Sequence, residues 1–233
     1  MSGWPAGFAI HERASVADPE LVEAFRGIPT TVVSDCLGGA GAVALRPFHG
    51  DPALRLCGVA LTVRVRPGDN LMLHKALTLA RAGDVLVVDG GGELHTALAG
   101  GLMRLAALAR GAAGIVVDGA IRDVEEWAAG ELPVFARGSS PRKPGKDGPG
   151  EINVPIGCAG LLVSPGDLVL GDADGVVAVP RERLAPVLER SRALLAEEEE
   201  KERHHLASRQ DPSLLVRDEE RVDGWLRAKG CPV

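Results

Sequence analysis

Apolar runs alternate with helix-period stripes along most of this chain, and the alternation predicts its elements in order. Asp18-Pro19-Glu20 opens a short helix through Phe25, with Asp18 as cap and Pro19 at the first helical position. Thr30 to Asp35 leads into a second short helix that ends at Gly38-Gly39. Gly58 to Val65 alternates as a strand does, and a Pro67-Gly68-Asp69 turn precedes a helix from about Asn70 to Arg81. The continuous apolar runs Asp84–Asp89 and Gly114–Asp118 read as buried strands, separated by a helix from Gly101 to Arg110.

A further helix is expected from near Asp123 to Gly130, then the strand Val134–Ala136 and a long polar loop, Ser139–Gly150, rich in Pro, Gly and Lys. Short strands follow around Ala159–Val163, Leu168–Leu170 and Gly175–Val179. A long helix spans about Arg181 to His205, with Pro186 tolerated in its first turn. An amphipathic tail carrying Leu214, Leu215, Val222, Trp225 and Leu226 closes the chain. Strands and helices alternate early and strands crowd later, which points to a mixed α/β architecture, with room for a sheet packed on a second sheet and helices outside.

At 233 residues the chain can bury a full core, and one domain with elaborations is expected. A net charge of −6, no Tyr, four Phe and three Trp argue against a phosphate-backbone partner or a base-stacking platform, so no nucleic acid is expected. Cys36, Cys57, Cys158 and Cys231 lie far apart with no Cys-X-X-Cys, which fits reduced thiols better than a disulfide framework or a zinc site. Met1 to Pro5 shows no secretory leader, and no apolar run reaches the roughly 18 residues of a membrane span. The expected location is the cytoplasm.

The most informative string is Gly101-X20-Arg122-Asp123-X2-Glu126, which sets a guanidinium and two carboxylates just after a buried strand. Ligands bind at such strand ends, and short carboxylates there can hold a cation. Asp123 followed by Glu126 also resembles a capping box, and a cap residue can be a ligand as well. Gly100-Gly101 precedes the stripe Leu102, Leu105, Leu108; the open amides of a helix start, such as those of Leu102 and Met103, suit a carboxylate, although glycines there also serve close packing.

Asp89-Gly90-Gly91-Gly92 lacks the third glycine of a dinucleotide fingerprint, because His95 stands there, and lacks a P-loop lysine. The stripe Leu184, Val187, Leu188, Ser191, Leu194, Leu195 extends in phase to Glu198, whose carboxylate on that face would need a cation, a metal-bound water or a second subunit. His204-His205 suit a negative helix terminus rather than a metal, and His74 sits in an apolar helix where partial burial is expected. No Ser-His-Asp or Cys-His arrangement emerges from the spacing.

The string, with Val117-Asp118-Gly119-Ala120-Ile121 leading into it, resembles the RraA-like family, which includes 4-hydroxy-4-methyl-2-oxoglutarate aldolases and related oxaloacetate decarboxylases. Gly138-Ser139-Ser140-Pro141, Val163-Ser164-Pro165-Gly166-Asp167 and Gly171 to Val176 strengthen the likeness, which spans roughly Pro29 to Glu198. It implies a single domain of swivelling β/β/α type, a layered sandwich with its core at about 29–180 and a C-terminal helix and tail at 181–233. It also implies a trimer or hexamer with active sites between subunits, and Mg²⁺ or Mn²⁺ held by Asp123 and, largely through water, by other carboxylates, among them Glu198 of a neighbouring copy. The family's aldolases characteristically have Asp where this chain has Gly101; here Glu126 would take its place, a form associated with oxaloacetate decarboxylation.

Carried over residue by residue, the likeness gives Arg122 and Asp123 catalytic roles. Substrate contacts fall to Gly101, Leu102, Met103 and Arg122, and metal contacts to Asp123, Glu126 and Glu198. The expected substrate is a small 2-oxo acid cleaved to pyruvate, with another metal-chelating oxo acid as an alternative. Because some members of the family inhibit a ribonuclease E assembly, the competing expectation is a non-catalytic regulator of RNA degradation.

Overall fold

Four strands, apolar and buried on both faces over most of two of them and at the start of the other two, become the parallel middle of one large sheet. The structure, a computed structural model, describes residues 5–13 and 15–233. The N-terminal stretch that sequence reads as leaderless, Met1–Trp4, lies outside the described residues.

In chain order, β1 (Phe8–Ile10), α1 (Pro19–Phe25) and α2 (Thr30–Cys36) come first, then the short strands β2 (Ala42–Val43) and β3 (Arg46–Pro47). The central part comprises β4 (Leu56–Val65), α3 (Leu71–Leu79), β5 (Asp84–Ala99), α4 (Gly101–Ala109), β6 (Gly114–Ile121), α5 (Val124–Ala128) and β7 (Val134–Ser139). Then follow β8 (Gly150–Ile152), β9 (Ile156–Cys158), β10 (Leu161–Val163), β11 (Leu168–Asp172) and β12 (Gly175–Val179). The chain ends with α6 (Leu184–Ser208) and α7 (Val216–Arg227), each preceded by a 3₁₀ turn.

Strands β4, β5, β6 and β7 run parallel, joined by α3, α4 and α5 as crossover helices. The order across the sheet is β2-β12-β11-β4-β5-β6-β7-β3, with β8 paired to β4 and β1 to β8. Strand alternation sends Leu86, Val88, Ile115 and Val117 into one core with Leu73, Leu77, Met103 and Trp127 of the helices. Val85, Val87 and Val116 face the other way, into a core with Phe135, Ile156, Leu161 and Val163. Helices thus cover one face, and the β9–β10 hairpin covers part of the other. The mixed α/β class and its layering are as the sequence implies.

Local order follows expectation at the start of the chain and departs from it later. Asp18 caps α1 as expected, its carboxylate accepting from the Glu20 amide at 2.9 Å. Sequence ends the first buried strand at Asp89, yet β5 continues to Ala99: it leaves the ladder in bulges between Asp89, Glu93 and Ala97, then rejoins β6 at Ala97–Ala120 and Ala99–Ile121. Strands β1 and β8 are too short for periodicity to reveal; they form because Phe8 to Ile10 pairs with Gly150 to Ile152 at the free edge of β4.

Contacts within the chain fall into two units, Met1–Leu188 and Glu189–Val233, the second holding most of α6 together with α7. No helix of the described residues is long and apolar enough to cross a membrane.

Candidate active site

Helix α4 begins without a cap of its own. Gly100 stands at its N-cap position with extended backbone and no side chain to accept a bond from the first turn. The acceptor comes from elsewhere: Asp123 Oδ2 takes the Gly101 N–H at 2.9 Å. Asp123 is itself positioned as the N-cap of α5, but its side chain makes no cap bond there. Of the two sequence readings, the capping box gives way; the carboxylate reaches across to the next helix.

Several features fix that reach. The Arg122 N–H donates to the Ala99 carbonyl at 2.9 Å, and the Arg122 carbonyl accepts from the indole N–H of buried Trp127 at 2.9 Å. Asp123 takes φ 58°, in the left-handed region that Asp tolerates better than most residues. Such a conformation costs about 1–3 kcal/mol and persists only where surrounding bonds impose it. Here it turns the carboxylate back toward Gly101.

The two glycines make the space. A Cβ on Gly100 would lie 2.5 Å from Asp123 Oδ2 and 3.0 Å from Arg122 Nε. A Cβ on Gly101 would lie 1.7 Å from Glu126 Oε2 and 2.6 Å from its Cδ. Glu126 therefore occupies the place that a side chain at 101 would enter. Gly101 and the Arg122, Asp123 and Glu126 group, distant in the sequence, form one cluster over the start of α4.

That cluster is loosely paired. Arg122 Nε stands 3.5 Å from Asp123 Oδ2, with more than a third of each side chain exposed. Among the described residues the remaining Arg122 nitrogens, Asp123 Oδ1 and both Glu126 oxygens make no hydrogen bond or ion pair. Of the two amides singled out in the sequence, the Met103 N–H already donates to the Gly100 carbonyl at 2.9 Å. Leu102 keeps an open amide, and Met103 contributes its side chain instead.

A cavity of about 120 Å³ adjoins the cluster, lined by Gly100, Leu102, Met103 and Arg122 together with Asn70, His74, Lys143 and Lys146. Burial, and then the nearby Lys146 charge, pull the His74 pKa below its ordinary value, so its ring favours the neutral form. Sequence reasoning missed Trp127, Asn70 and the two lysines. Trp127 reads as core, and nothing in a polar Pro-Gly-Lys loop says which helix it will cross.

Glu198 lies in the second unit, exposed on α6. The stripe that leads to it is buried at Leu184, Val187, Leu188 and Ser191, thins at Leu194 and Leu195, and is lost by Glu198. Within the same unit His204 Nε2 meets Asp218 Oδ2 at 2.9 Å, and Arg221 reaches Asp218 Oδ1 at 2.8 Å. The histidines thus face a carboxylate of α7.

The cysteines are free thiols: Cys36, Cys57 and Cys158 are buried, and Cys231 is exposed. Burial pushes the Cys57 pKa up to about 11 and that of Cys158 well above its ordinary range, so neither offers a thiolate nucleophile. The Gly-rich segment is no phosphate cradle, because a Cβ on Gly90 would strike Leu98 Cδ1 at 2.3 Å and the Asp118 carbonyl oxygen at 2.7 Å. Gly90 serves close packing, and Gly91 and Gly92 take φ 66° and 72°, the left-handed backbone that favours glycine.

Comparison with known proteins places the chain. The family model described as RraA-like, Aldolase/RraA, matches residues 30–178. A protein of Halalkalibacterium halodurans, provisionally named 4-hydroxy-4-methyl-2-oxoglutarate aldolase, is 41% identical over 191 residues, covering 81% of this chain and 90% of its own. The 4-hydroxy-4-methyl-2-oxoglutarate aldolase of a Thermus thermophilus strain is 40% identical over 153 residues, covering 65% of this chain and 92% of its own. Among solved structures, Streptomyces coelicolor RraAS2, described as an unusual member of the RNase ES inhibitor RraA protein family, superposes with a TM-score of 0.73 at 27% identity, covering 81% of this chain and 98% of that one.

Proposed function

This chain belongs to the RraA-like family, and from that premise we propose that it is a C–C lyase releasing pyruvate from small 2-oxo acids. Its reactions would be oxaloacetate decarboxylation, retro-aldol cleavage of 4-hydroxy-4-methyl-2-oxoglutarate, or both. The observation that carries the reading is the gathering of Arg122, Asp123 and Glu126 over the Gly100-Gly101 helix start, with most of their hydrogen-bonding capacity unused.

The donor set suits a divalent cation. Asp123 Oδ1 and the Glu126 carboxylate are hard oxygen ligands, and the space at Gly101 that a Cβ would fill holds Glu126 at the rim. Mg²⁺ or Mn²⁺ would be held by Asp123 and Glu126, joined by Glu198 of a neighbouring copy. When bound, the cation supplies Lewis acidity toward the 2-oxo group of the substrate.

The chain's own residues supply the rest. The open Leu102 amide, at the positive end of α4, orients the substrate carboxylate. Breaking the C3–C4 bond leaves its electron pair on the pyruvate fragment, and negative charge builds on the 2-oxo oxygen. Arg122, its backbone clamped by Ala99 and Trp127, donates to that oxygen. The same charge develops whether carbon dioxide or a second carbonyl compound departs, so one arrangement serves both cleavages.

Leu102 is 81% exposed beside the site and Leu105 half exposed one turn on, which supports a homo-oligomer, trimer or hexamer, covering α4. The deciding assay couples pyruvate release to a reporter, with oxaloacetate and 4-hydroxy-4-methyl-2-oxoglutarate as substrates and Mg²⁺, Mn²⁺ or EDTA present. Turnover above that of metal in buffer, lost with EDTA, is expected; turnover indifferent to EDTA defeats the metal part of the reading. The name of the Streptomyces relative favours a second reading, a regulator that binds a ribonuclease E-type complex. Capture of that complex by an Asp123→Ala variant inactive in pyruvate release would support it.

A further inference from the structure

We infer that Lys143 and Lys146 form a subsite for the second carboxylate of a dianionic 2-oxo acid, making them the specificity residues of the reaction proposed above, on which this inference rests. The cavity beside Arg122 receives both lysines on the wall formed by the polar loop, and among the described residues no Asp or Glu lines it. Arg122, loosely paired with Asp123 at 3.5 Å, and the two lysines around about 120 Å³ with no carboxylate on the lining make a positive recess. It opens beside the Leu102 amide, so a short chain with one carboxylate at the helix start extends its far end toward the loop.

The loop holds the lysines in place. Asp69, almost wholly buried, accepts from the Leu71 amide at 2.9 Å with one oxygen and from the Asp147 amide at 2.6 Å with the other. The Asn70 amide donates to the Gly145 carbonyl at 3.1 Å, and the Gly145 amide to the Gly68 carbonyl at 2.9 Å. Farther along, the Ala97 amide donates to the Arg142 carbonyl at 3.0 Å. Lys143 and Lys146 thus lie within a stretch of backbone, Arg142 to Asp147, pinned to the end of β5 at Arg142 and to the start of α3 at Gly145 and Asp147. Pinning of this kind lowers the ordering cost when the lysines engage a ligand. A solubility role would not need it.

The test uses calorimetric titration of the full chain, in Mg²⁺ throughout, with 2-oxoglutarate and with 2-oxopentanoate. Neither probe is a substrate of the proposed cleavages, and the two share a five-carbon length but differ in the distal carboxylate. Wild type should bind 2-oxoglutarate at least about 10-fold more tightly, as expected for a charge-assisted contact. The Lys143→Ala/Lys146→Ala variant should lose that preference while keeping its affinity for 2-oxopentanoate, and Lys→Arg replacements should restore much of it.

A preference that survives the double variant, or is absent from wild type, overturns the subsite. Pyruvate release is measured alongside. Failure of wild type to release pyruvate while the lysine-dependent preference holds would sink the reaction and leave a dicarboxylate-binding site standing.

Discussion

Charged pairs in two regions of the same sheet show what separates a site from a strut. Asp84 lies at the start of β5 and is bound by Arg13 through both oxygens, at 2.7 and 3.1 Å, and by the Arg81 amide at 2.9 Å; each side chain of the pair is 5% exposed. Asp118, within β6, is spent in the same way, taking the Arg137 Nε–H and the Ala159 amide. Asp123, two residues beyond the end of β6, meets Arg122 at 3.5 Å, accepts one amide and keeps an oxygen unused. All three are acid–base pairs beside buried strands. Only the third has capacity left for a ligand, and unspent capacity rather than charge is the mark of the site.

The sharpest way to break that contrast is to remove a spent partner. Asp84→Ala leaves Arg13 charged and buried without a counter-ion, and should cost about 3–5 kcal/mol of folding stability. Denaturant melts read this, while kcat of the protein still folded should be unchanged. A loss of kcat without a loss of stability would erase the distinction.

The reverse pattern is expected at Arg122. Arg122→Ala should lower kcat for pyruvate release by about 10²–10³-fold, since it removes the donor to the charge-bearing oxygen. Its melting temperature should stay near that of wild type, because an exposed, loosely held pair contributes little.

Gly101→Ala probes the cradle itself. The added methyl collides with the Glu126 carboxylate, which is exposed and can swing aside, so stability should hold or rise slightly with a better helix former. Metal-dependent turnover should fall about 10-fold, equivalent to roughly 1.4 kcal/mol. Combining it with Glu126→Ala should cost no more than Glu126→Ala alone; additive losses would show that the two positions do not share one space.

The smallest effect concerns the second unit. The hydrogen bond from His204, opposed by a smaller cost of burial and joined by the His204, Arg221 and His205 charges, holds the Asp218 pKa below the ordinary carboxylate range. A carboxylate lowered by folding lends stability above its unfolded pKa, near 3.9, and loses it as pH falls through the folded value. Helicity followed by circular dichroism should therefore decline slightly over that acid window. Asp218→Asn should flatten the decline, and an unchanged profile would mean that the contact contributes nothing.

Local chemistry was legible wherever the cause was local. The apolar runs of β4, β5 and β6 and the stripe of α4 announce themselves, because burial on both faces or on one face dictates residue type directly. The Gly101-X20-Arg122-Asp123-X2-Glu126 spacing also survives as a motif, for those residues converge on one helix start. The lysines of the polar loop were not legible, since their placement depends on Asp69 and Gly145 finding each other across 76 residues.

By itself the sequence determined the mixed α/β class, the order of most elements and the residues of the cluster, because side-chain periodicity and charge spacing are properties of the chain alone. Tertiary structure decided the rest. It carried β5 past Asp89 through its bulges and back into the ladder at Ala97, which brings Gly100 beside Arg122. It also turned Asp123 away from its own helix to cap another. The physical reason is that both outcomes are settled by hydrogen-bond partners distant in sequence, and a backbone amide carries no mark in the sequence of the acceptor it will meet.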